Sequence, residues 1–131
     1  MIDAIIWVPL VLFTIAYFTW GMYLAVMNLI EAKPKLTLPA KCFAYPLAAV
    51  GILMDFLTNL IVGSILFLEW PHYKKPLLTA RLQHHLDDLM DSTEPATGLR
   101  KWRQSTALWI CTHLLDPFDS RGYHCRKPKD E

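Results

Sequence analysis

Two long uncharged runs constrain this chain more than any other feature. Ala4 to Ile30 covers 27 positions without a charge, and Cys42 to Leu68 covers another 27, broken only by Asp55. Crossing the hydrocarbon of a bilayer takes roughly 20 predominantly apolar residues in a helix. Each run is therefore long enough to cross. Two buried helices of this length would need a far larger soluble domain to cover them. Only about 60 of the 131 residues remain after the second run. The runs predict two transmembrane helices, about 4–30 and 42–68, joined as a hairpin.

Details at the run ends agree with this. The first run follows Met-Ile-Asp with no leading basic residue, and it ends without a small-residue cleavage pattern. It reads as a retained helix rather than a cleaved leader. Pro9 falls within the first two turns, where a missing amide costs least. The connection from Glu31 to Lys41 holds Pro34 and Pro39 and has the length of a hairpin loop. Trp70-Pro71 is expected to end the second helix.

A two-span hairpin puts both termini on one side. Aromatic rings favour the membrane–water interface, so Trp7, Trp70 and Tyr73 are expected to share a depth as interface anchors. If Trp7 and Trp70 are level, residue i of the first helix sits opposite residue 77 − i of the second. Asp55 then lies opposite Met22, and Asn59 opposite Phe18.

The second run carries a polar and small stripe at steps of four: Gly51, Asp55, Asn59 and Gly63, with Thr58 and Ser64 beside it. The first offers Thr14, Tyr17, Gly21, Ala25 and Asn28. Small residues let membrane helices approach closely, and polar ones hydrogen-bond across the contact. The stripes are expected to face each other or a second copy of the chain. An ionised carboxylate in lipid is costly, so Asp55 is expected to face protein or water, or to be neutral, with Tyr17 and Asn59 within reach. The favoured reading is a packing contact that fixes hairpin or oligomer register. A proton or ion site, or a seat for another protein's membrane helix, are the alternatives. A hairpin with a mid-membrane carboxyl resembles the rotor-ring subunit of ATP synthases, but that family has a glycine-repeat first helix and a much shorter chain. Here the first helix has Gly21 alone, and the resemblance is set aside.

The tail, 71–131, is predicted to form two amphipathic helices, about 77–91 and 99–115, and a loop or disordered end. Leu78, Leu82, Leu86, Leu89 and Met90 recur at steps of three and four, one face of a helix. Arg81, His84, His85, Asp87, Asp88 and Asp91 fall largely off that face. Pro95 and Gly98 mark a break. Thr97 is placed to cap the second helix, and Asp116-Pro117 to end it. Trp102, between Lys101 and Arg103, is a further interface anchor, or else packs with Trp109 against the other tail helix.

Cys111, His113, His124 and Cys125 are zinc-ligand types, but their spacing matches no standard finger or knuckle. Free thiols are the favoured reading. A Cys111–Cys125 disulfide, which needs an oxidising compartment, and a metal site are the alternatives. No cofactor is implied. No nucleophile elbow, phosphate loop or metalloprotease motif is present in the sequence. A net charge of +1 gives no argument for nucleic acid.

The side of the tail is divided. Lys33, Lys35 and Lys41 in the loop match Lys74, Lys75 and Arg81 after the second run. The flanks of the first helix favour the loop inside, whereas the total of ten basic residues against three favours the tail inside. A cytoplasmic tail is the expectation. The chain reads as an all-α integral membrane protein and a non-enzymatic adaptor or assembly subunit. Its partners would be the lipid bilayer and a second copy or another membrane protein. A pore former resembling the two-span phage holins, an ion conductor centred on Asp55 and a metal-binding tail are the rivals.

Overall fold

A computed structural model describes residues 2–71 and 74–125, and the side chains from residue 7 onward. The expected anchor Tyr73 and the segment 126–131 lie outside the described residues. Every regular element described is helical. The chain divides into two compact units, Met1–Pro71 and His72–Glu131.

In the first unit, α1 spans Ile2–Ala32 and α2 spans Leu38–Thr58. A π-helical turn, Asn59–Gly63, joins α2 to the short α3, Ser64–Phe67. The connection is tighter than the sequence implies. A 3-10 turn at Lys33–Lys35 and two further residues suffice. The second helix starts at Leu38 rather than Cys42, because Pro39 sits in its first turn, where no amide hydrogen is required. The helical stretch ends at Phe67, with Leu68 as its cap. Leu68 turns left-handed at φ 50°, and the Glu69 amide donates to the Ser64 carbonyl at 3.3 Å. Glycine usually takes that position, because a side chain is strained there.

Two segments of this unit, Trp7–Lys35 and Leu38–Phe67, are long and apolar enough to cross a membrane, with mean hydropathies of 1.8 and 2.0. Their large apolar side chains point outward: Phe13 is 67% exposed and Phe43 81%. The inward faces pack α1 against α2.

In the second unit, α4 spans Leu78–Asp91 and α5 spans Gly98–Ile110. A π turn at Cys111–Leu115 and a 3-10 turn at Asp116–Phe118 extend α5. Against the expected 77–91 and 99–115, α4 starts one residue later and α5 one residue earlier, and the second stretch reaches Leu115 only through the π turn. The turn between them contains Pro95 and leads into Gly98, whose φ of 55° suits glycine. Thr97 stands at the cap position with extended backbone, but its side chain makes no capping bond.

The buried face of α4 is rotated from expectation. Leu82 and Leu86 are buried, but so are Arg81 and His85, while Leu89 and Met90 in the last turns remain exposed. The sequence period marked the leucines correctly. It could not show that α5 packs beside Asp88, which turns the neighbouring polar edge of α4 inward.

Candidate functional site

Two arrangements carry the chemistry, one in each unit. The first is the seam between α1 and α2. Gly51, Thr58, Asn59 and Gly63 are buried along it, and Asp55 is half-buried. A pure α-helix turns 100° per residue, so a stripe at steps of four drifts by about 40° each step. The π turn at Asn59–Gly63 takes up that drift. The Asn59 amide is shared between the Asp55 and Phe56 carbonyls at its start. Gly51, Asn59 and Gly63 therefore stay on one face.

Across the seam, the Thr19 and Thr58 hydroxyls hydrogen-bond to each other, both side chains being buried. A β-carbon on Gly51 would meet Val26 Cγ2 at 2.7 Å, closer than side chains pack, so the backbones approach here because Gly51 lacks one. The numbers of both contacting pairs, 19 with 58 and 26 with 51, add to 77. That is the register implied by levelling Trp7 with Trp70.

Helix α1 does not contribute its expected stripe. Thr19 and Met27 are buried, with Ala16, Tyr23 and Val26 half-buried beside them. Thr14, Tyr17, Gly21 and Asn28 are exposed on the opposite side, and Ala25 is half-buried. The physical reason is local. Thr14 Oγ1 donates to the Leu10 carbonyl at 2.8 Å, and Asn28 Nδ2 donates to the Leu24 carbonyl at 2.9 Å. With their polar groups satisfied by their own helix, they need no cross-helix partner. Tyr17 stacks with Phe13, ring centroids 6.1 Å apart, and is not brought to Asp55. A β-carbon on Gly21 would meet nothing within 4 Å.

The second arrangement is the tail core. Asp88 of α4 gathers donors from α5. Arg100 Nε reaches Oδ2 at 2.9 Å and its NH2 group reaches Oδ1 at 2.8 Å, while Gln104 Nε2 donates to Oδ2 at 2.7 Å. Arg100 also donates to Ser92 Oγ. The Arg100 guanidinium holds the Asp88 carboxyl down at about 2, with Gln104 assisting against partial burial. His84, expected beside Asp88 at i and i+4, remains exposed.

Beyond α5 the chain closes on itself. Cys111 and Cys125 form a buried disulfide, Cα atoms 5.9 Å apart, enclosing a loop with a sequence separation of 14. This corrects the reading of both as free thiols; Cys42 alone is a free, exposed cysteine. Segment 118–125, expected as loose chain, is organised by two carboxylates. Asp119 accepts from the Arg121 amide at 2.9 Å and from Arg121 Nε and NH2 at 3.0 and 2.8 Å. His124 Nδ1 lies 3.2 Å from Oδ2, the oxygen that also accepts from the Arg121 NH2 group. The Arg121 bonds drive the buried Asp119 carboxyl well below the usual carboxylate range, outweighing desolvation. Asp116 Oδ1 accepts from the His124 amide at 2.8 Å and the Cys125 amide at 3.4 Å. The Gly122 amide closes the turn onto the Asp119 carbonyl at 2.8 Å, with Gly122 at φ 75°. The signal for this turn, Asp-Ser-Arg-Gly, was legible: aspartate opens turns by bonding the amide two residues on, and glycine supplies the positive φ.

These contacts separate the expected metal ligands. Both sulfurs are consumed by the disulfide. His113 Nδ1 bonds the Trp109 carbonyl at 2.9 Å, and its ring stacks on Trp109 at 5.1 Å. Among the described residues no group of three or more His, Cys, Asp or Glu could hold a metal ion. Of the expected anchors, Trp7, Trp70 and Trp102 are all exposed, the last at 53%. Trp109 is exposed too, so neither tail tryptophan packs into the tail core.

No family model matches the chain, and no curated protein or solved structure is similar to it.

Proposed function

We propose that this chain is a small, non-enzymatic membrane adaptor or assembly subunit. The hairpin is its anchor, and the disulfide-closed tail is its binding module on the oxidising side of the membrane. One observation carries this reading: the buried Cys111–Cys125 disulfide lies in the same chain as two helices apolar enough to span. Disulfides persist in oxidising compartments and are rare where thiols are kept reduced. The proposal thus reverses the cytoplasmic tail expected from the total of basic residues. It agrees instead with the flanks of α1, which favour Lys33, Lys35 and Lys41 inside.

The hairpin supports an anchor through its outward apolar side chains, which would be a large exposed patch in water. The tail supports a binding module because its polar groups tie its two helices and closing turn together. Asp88 and Asp119 are spent on Arg100 and Arg121.

The test is the thiol count in living cells. Cells are acid-quenched, and the denatured protein is alkylated with a mass-shifting maleimide before and after reduction. One reactive thiol of three before reduction, and three after, is the expected result. Three before reduction would put the tail in a reducing compartment and end the proposed topology.

A second reading, self-association into a pore, is favoured by Thr14, Tyr17, Gly21 and Asn28 standing on the outer side of α1. Expression that depolarises the host membrane supports it, and harmless accumulation removes it. If ion flux runs through Asp55, Asp55→Asn changes it; equal proton flux in both versions ends that variant.

A further inference from the structure

The tail turns one apolar face of α5 outward. On α5 and the π turn that continues it, Gln104, Ala107 and Cys111 are buried. Leu99, Trp102 and Trp109 project from the opposite side, 55%, 53% and 56% exposed. Steps of three and seven place them on one stripe of the helix. Lys101 is exposed at one edge of that stripe, and Arg103 is half-buried at the other. The stripe is not loose: Trp109 is held against His113 by ring stacking at 5.1 Å and a 2.9 Å bond from the histidine ring to its carbonyl.

We propose that this face of α5 docks on the surface of the bilayer that holds the hairpin, at the leaflet on the tail's own side, which must then carry anionic lipid; the proposal rests on the hairpin being embedded. Three observations converge on lipid as the occupant. The composition is that of an interfacial helix, with tryptophans on one face and basic residues at its border. Tryptophan is a good group for this depth, because its ring is apolar and its N–H still reaches water and headgroups. Exposed Lys101 has the sign that anionic lipid attracts, worth about fivefold in partitioning near such a surface, and Arg103 borders the stripe with the same sign. The third observation is the tether. Ten residues, 68–77, separate α3 from α4. Fully extended they reach at most about 35 Å. An embedded hairpin therefore keeps α5 within a short distance of the membrane surface, at high effective concentration.

Docking would turn the other side of the tail, with His84, Asp87 and Asp91 exposed on α4, toward water and partners. The tail would then lie flat rather than swing on a stalk.

The experiment uses the full chain labelled with 5-fluorotryptophan and reconstituted in vesicles. Five fluorine resonances are expected, for Trp7, Trp20, Trp70, Trp102 and Trp109. Each is assigned by a Trp→Phe variant. Broadening by a water-soluble gadolinium chelate is compared with broadening by a lipid-borne spin label. In vesicles containing anionic phospholipid, Trp102 and Trp109 should be broadened by the lipid label and protected from the chelate. The protection should weaken in purely zwitterionic vesicles. It should also fall in Lys101→Gln with Arg103→Gln, by about fivefold in partitioning for each side chain neutralised.

Trp20 makes the two failures distinguishable. If Trp20 is open to the chelate, the hairpin reading fails. If Trp20 is protected while Trp102 and Trp109 are broadened by the chelate, docking fails and the hairpin stands. Protection that vanishes on diluting protein in lipid, at unchanged lipid composition, would assign the face to a second copy and overturn the proposal.

Discussion

Thr19 and Thr58 meet hydroxyl to hydroxyl across the α1–α2 seam, and this bond ties the two helices at one depth. Val26 against Gly51 repeats the same register about two turns away. Two contacts of different kinds, one polar and one steric, therefore specify a single alignment. A slide of either helix would break both at once.

Replacing Thr58 with Val should loosen the hairpin by about 0.6 kcal/mol, with an upper limit near 1.7, the range found for cross-helix hydrogen bonds in membranes. Thr19→Val should cost a similar amount. The double variant should cost less than the two singles added, because neither hydroxyl is then left without its partner. Reversible unfolding in mixed micelles measures all three. Additive losses would show that the bond contributes nothing to the seam.

Gly51 and Gly21 should answer differently to the same change. Gly51→Leu has no room beside Val26 and should force the helices apart, whereas Gly21→Leu meets open space. Cross-linking efficiency between cysteines placed at 19 and 58 reads the separation. Loss for the first variant and retention for the second is the expected pattern.

Removing the disulfide should destabilise the tail and spare the hairpin. Closing a loop of about 15 residues is worth about 3 kcal/mol in the chain-entropy account. Cys111→Ser and Cys125→Ser should each lower the thermal midpoint of the tail helices, and the pair should not be worse than either. Cys42→Ser should leave it unchanged, since Cys42 is free and exposed. Circular dichroism with and without reductant checks this.

Acid should weaken the tail through Asp88 and Asp119. Both carboxyls are depressed in the folded chain, Asp88 to about 2 from the ordinary 3.8. A depressed carboxyl stabilises the fold fully above its unfolded value and loses that contribution as pH falls through the folded one. For Asp88 the loss runs from about pH 5 down to about pH 2. Its side chain is 35% exposed, so screening leaves about 1 kcal/mol. Asp88→Asn should flatten part of the pH dependence of tail stability between those limits. A slope unchanged by the substitution would assign the acid sensitivity elsewhere.

The sequence was legible where a local pattern decides the answer: the apolar runs and the two tail helices follow from length and period. It was not where a partner chooses. The outer stripe of α1 looked like a contact surface because Thr14 and Asn28 are polar. Each had a backbone carbonyl four residues back, and the seam took Thr19 and Val26 instead. Arg81 and His85 looked solvated and are buried.

The cysteines show the same division. Their residue types allowed thiols, metal or a bridge, and spacing alone could not choose. The turn organised by Asp116 and Asp119 returns Cys125 to Cys111 and leaves His113 on Trp109.

The sequence by itself determined that two stretches are long and apolar enough to span, and that two short amphipathic helices follow. Those properties follow from local hydropathy and helical period. Only the tertiary structure decided which face of α1 meets Gly51, which side of α4 is buried and that the tail is closed by a disulfide. Each depends on the distance between groups far apart in the chain, which no local pattern encodes.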